Sequence, residues 1–198
     1  MHQYFKIYKP FQVLSQFSPE GDKQTLSDFF KVPKDVYPVG RLDFDSEGLL
    51  LLTNNKQINH RLLHPNFQHQ RSYLVQVDGA ITDDAIEQLK KGLEINVDGK
   101  THQCKPLLAR ILEQDPELPD RNPPIRFRKE IPAPWIELIL TEGKNRQVRK
   151  MTAKVGFPTL RLVRNSIEKI ELGPMQPGEI IELTEQELRQ KLFGGKSL

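Results

Sequence analysis

Between Gly40 and Asn55 the chain reads GRLDFDSEGLLLLTNN, and no other stretch limits the possible folds as much. Arg41, Asp43, Asp45 and Glu47 stand directly before four consecutive leucines, Leu49 to Leu52. Such a run suits a strand covered on both faces and is far short of the roughly twenty apolar residues that a membrane helix needs. Gly40 and Gly48 bracket the charged part, so that the backbone can turn sharply at either end. The pattern predicts a polar loop held by a core strand. A charged surface turn would look the same by composition, and the rest of the chain must decide between them.

With 198 residues the chain can bury a core as one domain or as two closely packed subdomains. Its 29 basic and 26 acidic side chains leave a formal charge of +3, so the arrangement of charge says more than the total. Basic residues gather in three places: His60 to Arg71, Arg126 to Lys129, and Lys144 to Lys154, the last containing Lys144, Arg146, Arg149, Lys150 and Lys154 with no acid. This third cluster is the strongest signal for a polyanionic partner. A single cysteine, Cys104, forms no intramolecular disulfide and suits a reducing compartment. No metal-ligand spacing is present, His60 and His64 included, and no metal or cofactor is expected. With no apolar leader and no long apolar run, a cytoplasmic location without membrane contact is expected.

Taken in order, the sequence predicts a strand over Met1 to Lys9, a turn-rich passage, a short helix after Thr25, and the strand of leucines. Asn54 or Asn55 then caps a helix with Ile58, Leu62 and Leu63 inward. Arg71 to Val77 alternates with period two and places Tyr73 with Val75 and Val77. Thr82 caps a helix with Ile86, Leu89 and Leu93 inward; Asp98-Gly99 marks a hairpin; Leu107 to Leu112 reads as a strand. Gln114 to Pro134 is proline-rich and is expected to be an irregular insert. Trp135 to Thr141 is a strand, followed by a helix in KNRQVRKMTAKVGF with Val148, Met151, Thr152 and Val155 on one side and Arg146, Lys150 and Lys154 on the other. Arg149 lies at the margin of these faces, where it calls for an anion. Leu160 to Arg164 and Glu168 to Leu172 are expected as strands separated by a turn at Asn165-Ser166, and Thr184 with Glu187 forms a capping box.

A surface made only to bind nucleic acid gains nothing from Asp43, whose charge repels phosphates. A reacting carboxylate explains it. Without metal ligands, a GxGxxG or a P-loop, the simplest chemistry is covalent or acid/base catalysis by an aspartate that an arginine keeps ionised. Composition leaves open whether a glycosidic bond of RNA is hydrolysed or rearranged.

The stretch Gly40 to Thr53 resembles the signature of the RNA pseudouridine synthases of the ribosomal small-subunit type, a family that also holds large-subunit rRNA enzymes. Tyr8-Lys9-Pro10, Arg71 to Val75 and Glu142 to Met151 add three more matches in the family's order. The resemblance implies an α+β fold with a mixed, largely antiparallel sheet, flanking helices and a central RNA cleft. It implies isomerisation of uridine to pseudouridine: the N1–C1′ bond breaks, the uracil turns, and a C5–C1′ bond forms. By the same resemblance Asp43 is the catalytic aspartate, Tyr73 the aromatic that stacks on the target base, and Arg149 the basic partner of the carboxylate. Arg41 and Leu140 line the substrate pocket, while Lys9, Lys144, Arg146, Lys150 and Lys154 complete the expected substrate-binding set.

The expected layout is one catalytic domain over 1–192, built as two packed subdomains, and a flexible tail over 193–198, with no N-terminal accessory RNA-binding domain. The expected partner is large-subunit ribosomal RNA, naked or partly assembled, and the enzyme is expected to act as a monomer. A noncatalytic rRNA-binding protein and an RNA glycosidase remain as alternatives.

Overall fold

The computed structural model describes residues 2–125 and 130–195. The basic group Arg126 to Lys129 therefore lies outside the described residues, as do the last three residues of the expected tail. The chain forms two compact units, one from Met1–His69 with Arg164–Leu198 and the other from Gln70–Val163. Both mix helices with strands that pair mostly antiparallel, which is the α+β class.

The first unit is built around Glu47–Thr53, in which all seven residues are buried. It pairs antiparallel with Tyr4–Lys9, setting Tyr4 opposite Thr53 and Lys9 opposite Gly48, and Tyr4–Lys9 pairs in turn with Ile180–Leu183. Successive side chains of a strand face opposite ways, so the four leucines divide between two layers. Leu50 and Leu52 join Phe5, Ile7, Val13, Leu26, Phe30 and Val36 in one core. On the unit's helical side Lys56–Leu63 buries Ile58 and Leu62. Each fully buried leucine contributes about 1.5–3 kcal/mol of apolar burial, which explains why this strand tolerates a charged loop at its N-terminal end.

Local signals mark the ends of elements as the sequence predicts. The Asn55 side chain accepts from Gln57 N and Ile58 N to cap Lys56–Leu63. Thr184 and Glu187 make the expected capping box of Glu185–Phe193, which runs one residue into the expected tail and buries Phe193. The short helix after Thr25 is a single 3-10 turn, Leu26–Asp28. Leu63 departs from the expected inward set and is 47% exposed.

In the second unit Arg71–Val77 pairs with Trp135–Leu140, which pairs with Leu108–Ile111. Tyr73, Val75 and Val77 face a core that also takes Ile86 and Leu89 from helix Asp83–Lys91 and Val148 and Met151 from helix Gln147–Lys154. Leu93 does not continue its helix; it opens the hairpin Leu93–Val97 to Lys100–Cys104 around Asp98-Gly99. No helix or strand occurs among the described residues of the proline-rich insert.

One boundary is corrected. Thr159–Ile167 is a single strand running through Asn165 and Ser166, and the chain turns instead at Glu168, whose φ is 50°. Ser166 and Ile167 pair with Glu171 and Ile170 across that turn. Turn propensity at Asn165-Ser166 gives way to ladder hydrogen bonds, a tertiary effect that a local reading does not see.

Candidate active site

The loop before Glu47 is fixed from several directions. Val39 N donates to Leu51 O at 2.8 Å, Gln12 N to Phe44 O at 2.8 Å, and Ser46 N to Asp43 O at 3.0 Å. Ser15 holds Leu42 at both backbone groups: its hydroxyl donates to Leu42 O at 2.8 Å and accepts from Leu42 N at 3.0 Å. Leu42 is buried, whereas Asp43 is half-buried and Arg41 exposed. The anchor the sequence predicts between the charges is thus real, and it leaves the Asp43 carboxylate at the surface of a rigid loop. Ser15 was not legible as part of this arrangement, because a lone serine in a turn-rich passage carries no signal of a partner 27 residues away.

Gly40 and Gly48 have φ of 74° and 105°, conformations that side chains disfavour. A β-carbon added at Gly40 would lie 2.9 Å from Leu63 Cδ2, but that methyl is the far end of an exposed side chain and can move aside. Backbone strain therefore dominates. Gly40→Ala is expected to cost about 1–2 kcal/mol of stability and to lower turnover by displacing the Asp43 loop. Chemical denaturation of the Gly40→Ala, Leu63→Ala double variant checks the cause: recovery of most of the loss would make the clash, not φ, responsible.

Lys9, expected among the substrate-binding residues, is instead 0% exposed. Its Nζ donates to Pro10 O at 2.9 Å and to Val13 O at 2.6 Å, so an ammonium turned into the core has no route to a phosphate. Burial lowers its pKa to about 7, and the buried Arg164 adds to that; Glu47, Asp43 and Asp45 act in the opposite direction. Arg164 donates from Nε to Leu49 O at 2.8 Å, and Tyr8 Oη lies 3.5 Å from Glu47 Oε1. Glu47 itself is buried. The first unit therefore brings the charges of Asp43, Asp45, Glu47 and Arg164 to bear on the buried Lys9, and Arg164 was missed because it sits in an ordinary alternating strand with no motif around it.

In the second unit Tyr73 and Leu140 lie on adjacent strands, with Tyr73 opposite Leu138 and Leu140 opposite Arg71. Both are buried in the same core as Val148 and Met151. Arg149 is half-buried, and its Nη1 donates to Thr159 O at 3.4 Å. The basic helix starts later than its periodicity predicts. Arg146 is its N-cap in a left-handed conformation, φ 54°, so it does not stack with Lys150 and Lys154 on a helical face. The preceding turn is tied by Gln147, whose Oε1 accepts from Lys144 N at 3.0 Å while its Nε2 donates to Glu142 Oε1 at 2.7 Å. Lys144 Nζ lies 3.7 Å from Glu142 Oε2. Lys150 is half-buried and Lys154 exposed. Among the described residues no group of His, Cys, Asp or Glu could hold a metal ion.

Residues 3–154 match the family model for RNA pseudouridylate synthase. The chain belongs to the RNA pseudouridylate synthase family. As such it is an isomerase. Relatives include ribosomal large subunit pseudouridine synthase E of Vibrio parahaemolyticus, 47% identical over 175 residues, covering 88% of this chain and 71% of the relative. The protein of the same name from Xanthomonas axonopodis pv. citri is 48% identical over 173 residues, with 86% and 88% covered. Among solved structures, that of a pseudouridylate synthase superposes with a TM-score of 0.76 at 27% identity, covering 97% of this chain and 74% of that one. This synthase fold places the Gly40 to Thr53 signature on the loop and central strand of the first unit, and the Arg71 to Val75 and Glu142 to Met151 matches on the second.

Proposed function

We propose that this synthase converts a specific uridine of large-subunit ribosomal RNA to pseudouridine, with Asp43 as its essential carboxylate. The observation that carries the reading is an aspartate held half-buried on a loop fastened by backbone hydrogen bonds at Val39, Phe44 and Ser46 and by Ser15 at Leu42, in a chain 47% and 48% identical to relatives named for the large subunit. A preorganised carboxylate is what either attack on the nucleotide or removal of a ribose proton requires. In this reading Arg149 is the basic partner of the Asp43 carboxylate. Tyr73 stacks on the uracil after it leaves the helix, and Arg41 and Leu140 border the pocket. Lys144, Arg146, Lys150 and Lys154 hold the phosphate backbone.

The RNA is proposed to be naked or partly assembled, because a base packed in a finished particle must lose tertiary contacts as well as its stack. The enzyme is proposed to work in the cytoplasm as a monomer. Site-resolved mapping of pseudouridine after reaction with both unmodified rRNAs and with assembled subunits tests the substrate. Pseudouridine at one position of the large-subunit RNA is expected. Preferential modification of small-subunit RNA, or faster reaction on mature large subunits, would overturn the respective part of the proposal. Released uracil would make the protein a glycosidase, and binding with neither product a noncatalytic rRNA-binding protein.

The division of labour in the basic helix has its own test. Lys150→Ala and Lys154→Ala are each expected to weaken RNA binding and to reduce its salt dependence by about one phosphate contact. Arg149→Ala is expected to lower kcat far more than affinity. Equal losses in all three variants would reduce Arg149 to another backbone contact.

A further inference from the structure

Within the first unit a second concentration of chemistry lies outside the Asp43 loop. A cleft of about 550 Å³ is lined by Lys56, Gln57, His60, Arg61 and Phe67, a volume typical of small-ligand sites. Phe67 is 46% exposed, yet its ring is held in place. The Arg61 guanidinium lies 5.6 Å from the centre of Phe67 and 4.3 Å from that of Phe193. His69 stacks on Phe67 at 6.2 Å with 25° between the ring planes, and His64 meets it edge-on at 5.9 Å. His69 is buried and its Nδ1 lies 2.9 Å from Glu168 Oε1, so the series of rings is anchored from below. His60 extends it, 5.2 Å from His64.

The surroundings are basic. From Asn54 to Val77 the sequence contains no Asp or Glu, and Glu168 is engaged with His69. A rigid aromatic ring with exposed surface, set among Lys56, Arg61 and two histidines, is the combination that binds unpaired nucleotides: cations hold the backbone while the ring takes a base. An acidic peptide would answer the same charges, but in a nucleotide every phosphate comes with a flat π-face that can extend the series of rings. The helix that lines the cleft also reaches the start of the loop of the proposed reaction. Leu63, one turn along the same helix from His60, is the side chain that a β-carbon at Gly40 would meet, and Gly40 is three residues from Asp43.

We propose that this cleft is a second RNA subsite that takes an unpaired nucleotide flanking the target uridine, its base stacked on Phe67 and its phosphate near Lys56. The proposal rests on the reading of the chain as an enzyme acting on RNA, and adds to it a contact that sets which sequence neighbours of the target are held open.

The test uses the full chain with a single-stranded ribo-oligonucleotide, binding being followed by fluorescence anisotropy across a salt series, and with unmodified large-subunit rRNA in parallel. Phe67→Ala is expected to weaken oligonucleotide binding roughly tenfold with an unchanged salt slope, because stacking releases no counterions. Phe67→Trp, which keeps a ring, is expected to restore it. Lys56→Ala is expected to lower the slope by about one phosphate contact. On rRNA, Phe67→Ala is expected to raise KM much more than it changes kcat. Equal affinity of wild type and Phe67→Ala, a loss that Phe67→Trp does not recover, or an acidic polypeptide that competes as well as RNA would overturn the subsite. Absence of pseudouridine from rRNA treated with the wild-type protein would overturn the proposed function instead, while oligonucleotide binding still decides the subsite.

Discussion

Asp43→Asn is expected to remove at least about 10³-fold of the rate of pseudouridine formation while leaving the fold and most RNA affinity in place. The substitution keeps the size of the side chain and removes only its negative charge and basicity. The loop around it does not depend on the carboxylate: its described fastenings are backbone hydrogen bonds at Val39, Gln12 and Ser46 and the paired contacts of Ser15 with Leu42. Asp43 O, which accepts from Ser46 N, is untouched. Single-turnover kinetics on rRNA, with binding measured separately, distinguish chemistry from affinity. Near-normal product formation would remove Asp43 from the mechanism. A loss of binding in step with turnover would show a loop collapse in place of a missing reactive group.

Lys9→Met is expected to destabilise the protein by about 2–5 kcal/mol, since it takes from the buried Val13 O and the half-buried Pro10 O the donor that now serves both. In a chain of this size that lowers Tm by roughly 5–15 °C. The effect depends on pH in a defined direction. The group titrates near its ordinary 10.5 when unfolded and at about 7 when folded. Below pH 7 both states are protonated and the full cost of burying an ammonium is present. Between about 7 and 10.5 the unfolded chain holds a proton that the folded chain has released, so stability rises with pH by up to about 1.4 kcal/mol per unit from this group. A neutral amine still has two N–H bonds to give to the two carbonyls, so the structure loses nothing by deprotonation. The stability gap between wild type and Lys9→Met is therefore expected to widen by about 2 kcal/mol from pH 7 to pH 9 in denaturant titrations. A gap that stays flat would mean that Glu47, Asp43 and Asp45 hold the ammonium charged. Because Lys9 braces the turn that leads to Val13, the variant is also expected to lose activity at temperatures where it remains folded.

Elements with a local cause could be read from the order of residues alone. Four leucines after a glycine made Glu47–Thr53 a buried strand; period-two alternation made Arg71–Val77 a strand with Tyr73 on its apolar side; Asn55, Thr82 and Thr184 capped the helices that follow them. Order and spacing of four short motifs carried the family. Matters that depend on partners far along the chain were settled by the folded arrangement. Lys9 looked like a cation for RNA, yet its strand has neighbours on both sides, and its Nζ donates to two carbonyls of the next turn. Arg146 fitted the helical period, but a left-handed cap is set by how the turn closes on Gln147 and Glu142, not by periodicity. Ser15 and Arg164 gained their places through Leu42, 27 residues away, and Leu49, 115 residues away. His60, Arg61 and Phe67 became one cleft only because Phe193 and His69 come together beneath them. Propensities and caps act within a turn or two of chain and can be read in order, whereas a buried polar group is placed by whichever distant backbone must have its hydrogen bonds satisfied.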